Sequence, residues 1–201
     1  MGEKRIAYYR SSHEILLVGE GDFSFSLCLA RAFGTAKNMV ATSLDSRASL
    51  RKKYGSALRN LRELEGLGCT ILLEHPFLKH RHYDRIIFNF PHAGFTYRET
   101  DDCQIQLHRR LVSGFLSNAK FMLNKGGEIH ITHKTAHPFS KWNIKRLAKR
   151  QNLLLVGEEE FYRDHYPGYT NKRGDGRNCD ESFPIGECST VMFMSYFDRF
   201  L

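Results

Sequence analysis

Short apolar runs alternate with stretches of helical periodicity along most of this chain. Ile15-Leu-Leu-Val18, closed by Gly19 and Gly21, predicts a buried strand. Ser24 to Phe33 predicts a helix, with Ser24 as its N-cap. A second strand is expected at Asn38 to Leu44. A helix with a basic exposed side follows at Ser46 to Leu67, with Gly55 as a place where it can divide. Cys69 to Leu73 and Tyr83 to Asn89 are the third and fourth strands. Asp101 to Leu123 is a long amphipathic helix, stopped by Lys125-Gly126-Gly127. A fifth strand at Glu128 to Thr132, a helix from Pro138 to Arg150, a sixth strand beginning at Leu153 to Val156 and a seventh at Ser189 to Tyr196 complete the series. Strands alternating with helices imply βαβ units in a mostly parallel α/β sheet. Phe161 to Cys188 is irregular and rich in Gly, Asp, Asn, Arg and Tyr, which marks a functional or mobile insertion. With no repeat and no linker, one domain over residues 1–201 is expected.

Composition narrows the partners. The 201 residues carry 30 Lys plus Arg against 22 Asp plus Glu, a net charge of +8, which favours a polyanion. The apolar runs are too short to cross a bilayer, and Met1 to Glu14 lacks the apolar core of a signal peptide. The five cysteines are widely spaced with no C-x-x-C, so reduced thiols and an intracellular location, nuclear, nucleolar or cytoplasmic, are expected. A monomer is the favoured state.

In open α/β sheets, ligands bind beyond the C-terminal strand ends. After strand one comes Gly19-Glu20-Gly21-Asp22-Phe23-Ser24. Its glycines permit a tight turn, and the helix start behind it offers N–H groups to a phosphate or carboxylate. Ser24 stands where a dinucleotide fingerprint has its third glycine, and the Gly-Lys-Ser/Thr ending of a P-loop is missing. An ordinary strand-to-helix turn is the alternative. After strand two, Asp45 can accept from both ribose hydroxyls, or cap the next helix. After strand four, Asn89-Phe90-Pro91-His92 combines an amide for a ring edge with flat faces for stacking. His133 follows strand five as a weaker candidate for a base or polar contact. His130 and His133 face opposite sides of a strand, and His80 with His82 lack a third ligand, so no metal is expected. Lys141, Lys145 and Lys149 form one helical stripe. Lys172, Arg173 and Arg177 lie among Tyr162, Tyr166 and Tyr169, a mixture suited to unpaired nucleotides. A solvated basic face is the alternative for each cluster.

Three strings in order, Ile15-Leu-Leu-Val-Gly-Glu-Gly-Asp-Phe-Ser-Phe-Ser26, Ala41-Thr-Ser-Leu-Asp45-Ser46 and Tyr83-Asp-Arg-Ile-Ile-Phe-Asn-Phe-Pro-His92, resemble the eukaryotic 25S/28S rRNA uridine-N3 methyltransferases, a family that also has plant members. The resemblance spans residues 14–197. It implies a Rossmann-like class I methyltransferase, with a seven-stranded mostly parallel sheet, the last strand antiparallel, and helices on both faces. It implies S-adenosylmethionine as cofactor and N3 of a uridine in large-subunit rRNA as target. Gly19, Glu20, Gly21, Asp22 and Phe23, with Ser24 beside them, would line the cofactor. Asp45 would hold its ribose, and Glu74-His75 stands where the family carries an acid near the adenine. Asn89, Phe90, Pro91 and His92 would face the base. Lys141, Lys145, Tyr169, Lys172 and Arg173 would meet RNA. Leu17 replaces the acid that methyltransferases generally place before the first glycine. Asn171-Lys172-Arg173-Gly174 replaces a His-Arg-Arg-like run. A module that binds nucleotide or RNA without turnover is the alternative function. An NAD-type oxidoreductase would leave Asn89 to His92 without a task.

Overall fold

The computed structural model describes residues 2–74, 78 and 81–197. His75 and His80 therefore lie outside the described residues. The chain divides into two compact units, Met1–Lys79 with Tyr162–Phe183, and His80–Phe161 with Pro184–Leu201. Its strands make a seven-stranded mixed sheet, mostly parallel with the last strand antiparallel, and a separate two-stranded ribbon.

The first unit opens with that ribbon, β1 (Arg5–Ile6) against β2 (Tyr9–Arg10), which is too short to show as a hydrophobic pattern. β3 (Ile15–Leu17) follows, with all three side chains buried. Burying each stabilises the fold by roughly 1.5–3 kcal/mol. Then come α1 (Ser24–Phe33), β4 (Met39–Ser43), α2 (Arg47–Lys53), α3 (Ala57–Gly66) and β5 (Thr70–Leu73). The order β5-β4-β3 is parallel throughout. The long helix expected over Ser46 to Leu67 divides around Gly55, because Tyr54 takes an extended backbone and ends α2.

Ser24 is not the N-cap of α1. Phe23 holds that place in a left-handed conformation (φ 62°), with no side-chain cap bond of its own. Asp22 substitutes: its Oδ1 accepts from the Ser24 amide at 3.0 Å. Its Oδ2 accepts from Ser56 Oγ, at the start of α3, and from Thr170 Oγ1, both at 3.0 Å. The Asp22 carbonyl accepts from Asn60 Nδ2 at 2.8 Å. Asp22 is 3 % exposed, so these protein donors replace water for a buried carboxylate.

The late insertion is thus fastened to the glycine turn. The Thr170 amide donates to Ser24 Oγ at 3.0 Å. The Gly55 amide donates to Asp180, and Tyr54 Oη to the Gly174 carbonyl. Phe25 packs its ring 5.0 Å from Tyr166 and 5.2 Å from Tyr169.

The second unit contains β6 (Tyr83–Asn89), α4 (Asp102–Ala119), β7 (Leu123–Lys134), α5 (Ile144–Arg150), β8 (Leu153–Glu160) and β9 (Cys188–Ser195), in the order β6-β7-β9-β8. β7 runs parallel to β6, and β9 antiparallel to both β7 and β8. Two expectations need correcting. The long helix stops at Ala119, and the next strand begins at Leu123 rather than Glu128, after a 3-10 turn. Gly126-Gly127 sits within β7 beside a shift of register, where a Cβ on Gly127 would stand 2.8 Å from the Tyr83 carbonyl. The glycines mark a bulge in a strand rather than the stop of a helix. The helix expected from Pro138 is a 3-10 turn (Phe139–Trp142), then Asn143 at φ 52°, then α5. Lys141 is therefore not on the helix that carries Lys145 and Lys149.

Replacing Asp22 by Ala would leave buried donors from three segments without an acceptor. We expect a loss of about 2–4 kcal/mol in urea denaturation. Asp22→Asn, which keeps one acceptor oxygen, should lose less.

Candidate functional site

In the first unit, the turn after β3 is shaped by two glycines. Gly19 has φ 69°, a conformation that costs other residues about 1–2 kcal/mol. Gly21 lies so near Tyr54 that an added Cβ would meet its hydroxyl at 3.3 Å. Between them, the Glu20 amide donates to the Thr42 carbonyl at 2.9 Å, extending the pairing with β4. Glu20 Oε2 accepts from the Ser26 amide (3.2 Å) and Ser26 Oγ (2.7 Å). Two early amides of α1, those of Ser24 and Ser26, are therefore taken by Asp22 and Glu20. The expectation of a helix start open to a phosphate is corrected: this one carries its own carboxylates. Burial pushes the Glu20 carboxyl up to about 7; the Ser26 hydrogen bonds oppose that rise and the Asp22 charge adds to it.

The remaining first-unit candidates differ in accessibility. Phe23 is fully buried. Ser24 is buried and engaged with Thr170. Asp45 is half-buried beyond β4, 2.8 Å from Lys53 Nζ. Ser46, not Asp45, caps α2 by accepting from the Ser49 amide at 3.1 Å. The capping alternative for Asp45 is thereby removed. Glu74 is exposed and left-handed (φ 66°) just past β5.

In the second unit, the end of β6 places Asn89 and Phe90 half-buried and Pro91 buried. Asn89 Oδ1 accepts from Thr132 Oγ1 at 2.7 Å. That bond fixes the amide and leaves Nδ2 buried without a hydrogen-bond partner. Phe90 has φ 48°, and its amide donates to the Thr132 carbonyl at 2.8 Å. Strained non-glycine residues thus stand just past β5 and β6, at Glu74 and Phe90, and at the start of α1, at Phe23, with others at Ala7, Asn143 and Asn152 away from the candidate residues.

His92 belongs to a cluster that sequence reasoning missed. Its Nε2 lies 2.6 Å from Glu99 Oε1, and Glu99 Oε2 lies 3.4 Å from Nε2 of buried His108. His108 stacks on Trp142 with centroids 4.2 Å apart and planes 20° apart. The signal was available on α4, where Gln104 and His108 interrupt the buried stripe of Ile105, Val112 and Leu116. Polar residues at core positions require partners. Burial works to raise the Glu99 carboxyl, but the adjacent His108 and the His92 hydrogen bond, with the charge of both rings, hold it down to about 2. His133 packs against Trp142 at 4.6 Å. Burial, with a smaller effect of His108, pushes it down to about 4, so it is neutral at physiological pH.

His92, Glu99 and His108 bring three potential metal-ligand atoms within 4.8 Å of one another. The hydrogen bonding disfavours that use. His108 Nδ1 accepts from the Ala93 amide at 3.1 Å, which puts the imidazole proton on Nε2, the nitrogen a metal would need.

The expected RNA contacts are already engaged. Lys141 pairs with Asp102 (3.6 Å), Lys145 with Glu158 (2.5 Å), Lys172 with Asp180 (2.7 Å) and Arg173 with Glu181 (3.6 Å). The exposed pairs of Lys141, Lys145 and Arg173 contribute about 0–1 kcal/mol, so phosphates can displace them cheaply, whereas Lys172 is largely buried and also donates to the Asp180 carbonyl at 2.7 Å. Tyr169 is half-buried against Phe25. Among the described residues, no helix is long and apolar enough to cross a membrane, and the five cysteines are free.

An Arabidopsis thaliana protein described as uncharacterized is 54 % identical over 96 % of this chain and 98 % of its own length. Heavy metal-associated isoprenylated plant protein 41, also from Arabidopsis thaliana, is 50 % identical over 94 % of this chain but only 38 % of its own. The 25S rRNA (uridine(2634)-N(3))-methyltransferase of Saccharomyces cerevisiae is 23 % identical over 86 % of this chain and 69 % of its own. Among solved structures, a methyltransferase from Pyrococcus furiosus shares the fold, with a TM-score of 0.56 at 15 % identity over 90 % of this chain and 74 % of its own. N-methyltransferase NodS from Bradyrhizobium japonicum, solved with S-adenosyl-l-homocysteine, has a TM-score of 0.51 at 12 % identity, covering 90 % of this chain and 76 % of that one. The family described as BMT5-like, rRNA (uridine-N3-)-methyltransferase, matches residues 16–173, most of the chain, and the protein belongs to that family.

Proposed function

We propose that this protein transfers a methyl group from S-adenosylmethionine to N3 of a uridine in large-subunit rRNA. The observation that carries the cofactor assignment is the pair of carboxylates at the start of α1. Glu20 and Asp22 already satisfy the amides of Ser26 and Ser24, so a phosphate there would meet negative charge. A ligand bearing a cationic sulfonium and ammonium has the opposite sign and fits. S-adenosylmethionine, bound there, supplies an electrophilic methyl group. Gly19 and Gly21 let the backbone approach it, and Asp45, already paired with Lys53, has carboxylate lone pairs for the ribose hydroxyls.

Asn89 serves the base. With Oδ1 committed to Thr132, its unpartnered Nδ2 can donate to a uracil carbonyl. Removing the N3 proton spreads negative charge onto the flanking carbonyl oxygens, so this donor gains strength as the reaction proceeds. The basic surface would approach the rRNA backbone, with the ion-paired Lys141, Lys145, Lys172 and Arg173 exchanging carboxylates for phosphates.

Calorimetry with S-adenosylmethionine, followed by tritium transfer to large-subunit rRNA lacking the modification, tests the proposal. Absence of cofactor binding would overturn it, and binding without transfer would leave a binding module. Asn89→Asp replaces the donor by an acceptor while preserving the Thr132 bond. Turnover should fall about 100-fold with cofactor affinity unchanged.

Glu20 generates a pH-dependent prediction. Its folded pKa lies above its unfolded value, so the folded state holds the proton more tightly. Stability from this group is full below about 4.5 and declines as pH rises through about 7. Glu20→Gln should therefore raise stability at pH 8, by at most about 3 kcal/mol. It should also weaken S-adenosylmethionine about 10-fold at that pH while sparing the uncharged sulfur of S-adenosylhomocysteine. In the unmodified protein, affinity for the cationic cofactor should rise through pH 7.

A further inference from the structure

We propose that Glu99 and His108 form a positioning relay behind His92, leaving the His92 Nδ1 lone pair to accept the N3 proton of the target uracil. This inference rests on the uridine-methylating function proposed above and names the groups that handle its proton.

The hydrogen-bond network assigns the tautomers. Glu99 is a carboxylate and accepts at Oε1, so the His92 Nε2 facing it at 2.6 Å carries the proton. Neutral His92 then has its lone pair on Nδ1. His108 is set the same way by a different contact: its Nδ1 accepts from the Ala93 amide at 3.1 Å, so its Nε2 carries the proton and stands 3.0 Å from Gln104 Nε2 and 3.4 Å from Glu99 Oε2, an oxygen with no hydrogen-bond partner of its own. One carboxylate thus lies between two imidazole N–H groups. A third group that orients a base is the general logic of hydrolase triads, reached here with different residues.

The surroundings hold the relay still. Gln104, one helical turn before His108, accepts from the Tyr97 amide (2.8 Å) and donates to the Gly94 carbonyl (2.6 Å), tying the loop that carries Glu99 to α4. His108 lies flat on Trp142. His92 is placed between the Phe95 and His108 rings, at 4.3 and 4.4 Å. His108 is fully buried, whereas the His92 side chain is 23 % exposed, so His92 is the member of the relay a base can reach. The methyl transfer as derived from Asn89 alone gives Glu99 no task.

The step balances. The N3–H bond breaks, its electron pair stays on N3, and the proton joins His92 Nδ1. The N3 pair forms the new C–N bond with the methyl of the sulfonium donor, whose C–S pair remains on sulfur as a neutral thioether. The positive charge passes to His92, where the Glu99 carboxylate stabilises it, and His92 later releases the proton to water. The ionisable groups facing this relay are His92 and Glu99 in the loop after β6, His108 on α4, and His133 on β7, which the His108 charge helps to push down.

The test uses the full chain, S-adenosylmethionine and large-subunit rRNA lacking the modification, with N3-methyluridine quantified in nucleoside digests across pH. Glu99→Gln should lower kcat about 100-fold while leaving RNA KM and cofactor affinity unchanged. The split between kcat and KM separates a positioning role from a merely structural one. His108→Asn keeps an acceptor for the Ala93 amide but loses the Nε2 donor; a loss of about 10-fold in kcat is expected, and this variant carries the test should Glu99→Gln not fold. Wild-type kcat in a folded variant, or a loss confined to RNA KM, would overturn the relay. Loss of activity on chelation, restored by zinc, would overturn it in favour of a metal centre. Failure of the unmodified protein to form N3-methyluridine would overturn the function itself, a result distinct from any change confined to the variants.

Discussion

The Asp22 carboxylate is the interaction on which the first unit depends. One buried anion receives the first amide of α1, a hydroxyl at the start of α3 and a hydroxyl from the late insertion. A carboxylate in a buried place costs several kcal/mol unless its lone pairs are filled. Because three different segments fill them, the cost can be met only when all three are in place. The turn after β3, the α2–α3 junction and residues near Thr170 thereby become parts of one arrangement.

The same chemistry explains the character of the candidate cofactor turn. A helix start usually attracts anions, and α1 has internalised two of them. Glu20 and Asp22 neutralise the dipole that would otherwise favour a phosphate, and tilt the turn towards a cation. At the end of β6 the situation is reversed: Asn89 holds back a donor, and the His92 side chain keeps one nitrogen clear of Glu99. One strand end is built from satisfied acceptors, the other from polar capacity not yet used.

Much of this was legible in the sequence, and the exceptions have physical reasons. The strands around Leu16, Ala41 and Ile87 announce themselves because buried strands need unbroken apolar runs, and β6 appears with the expected bounds. The division at Gly55 was readable for the same local reason. Gly126-Gly127 misled, because glycine ends helices and also permits bulges, and the choice depends on the neighbouring strand. Ser24 misled because a left-handed Phe23 took the cap position and a neighbouring acid took its bond. The relay was invisible because Glu99 lies in an irregular loop, and its partners are defined by folding rather than spacing. Gln104 and His108 were the traces left behind, polar residues in an apolar stripe.

The bond from Thr170 to Asp22 joins residues 148 positions apart. Translation therefore supplies β3, its glycines and α1 well before Thr170. Until β4 to β8 have also been made, a growing chain displays Asp22 with part of its coordination missing. The order of manufacture thus separates the making of the glycine turn from its completion.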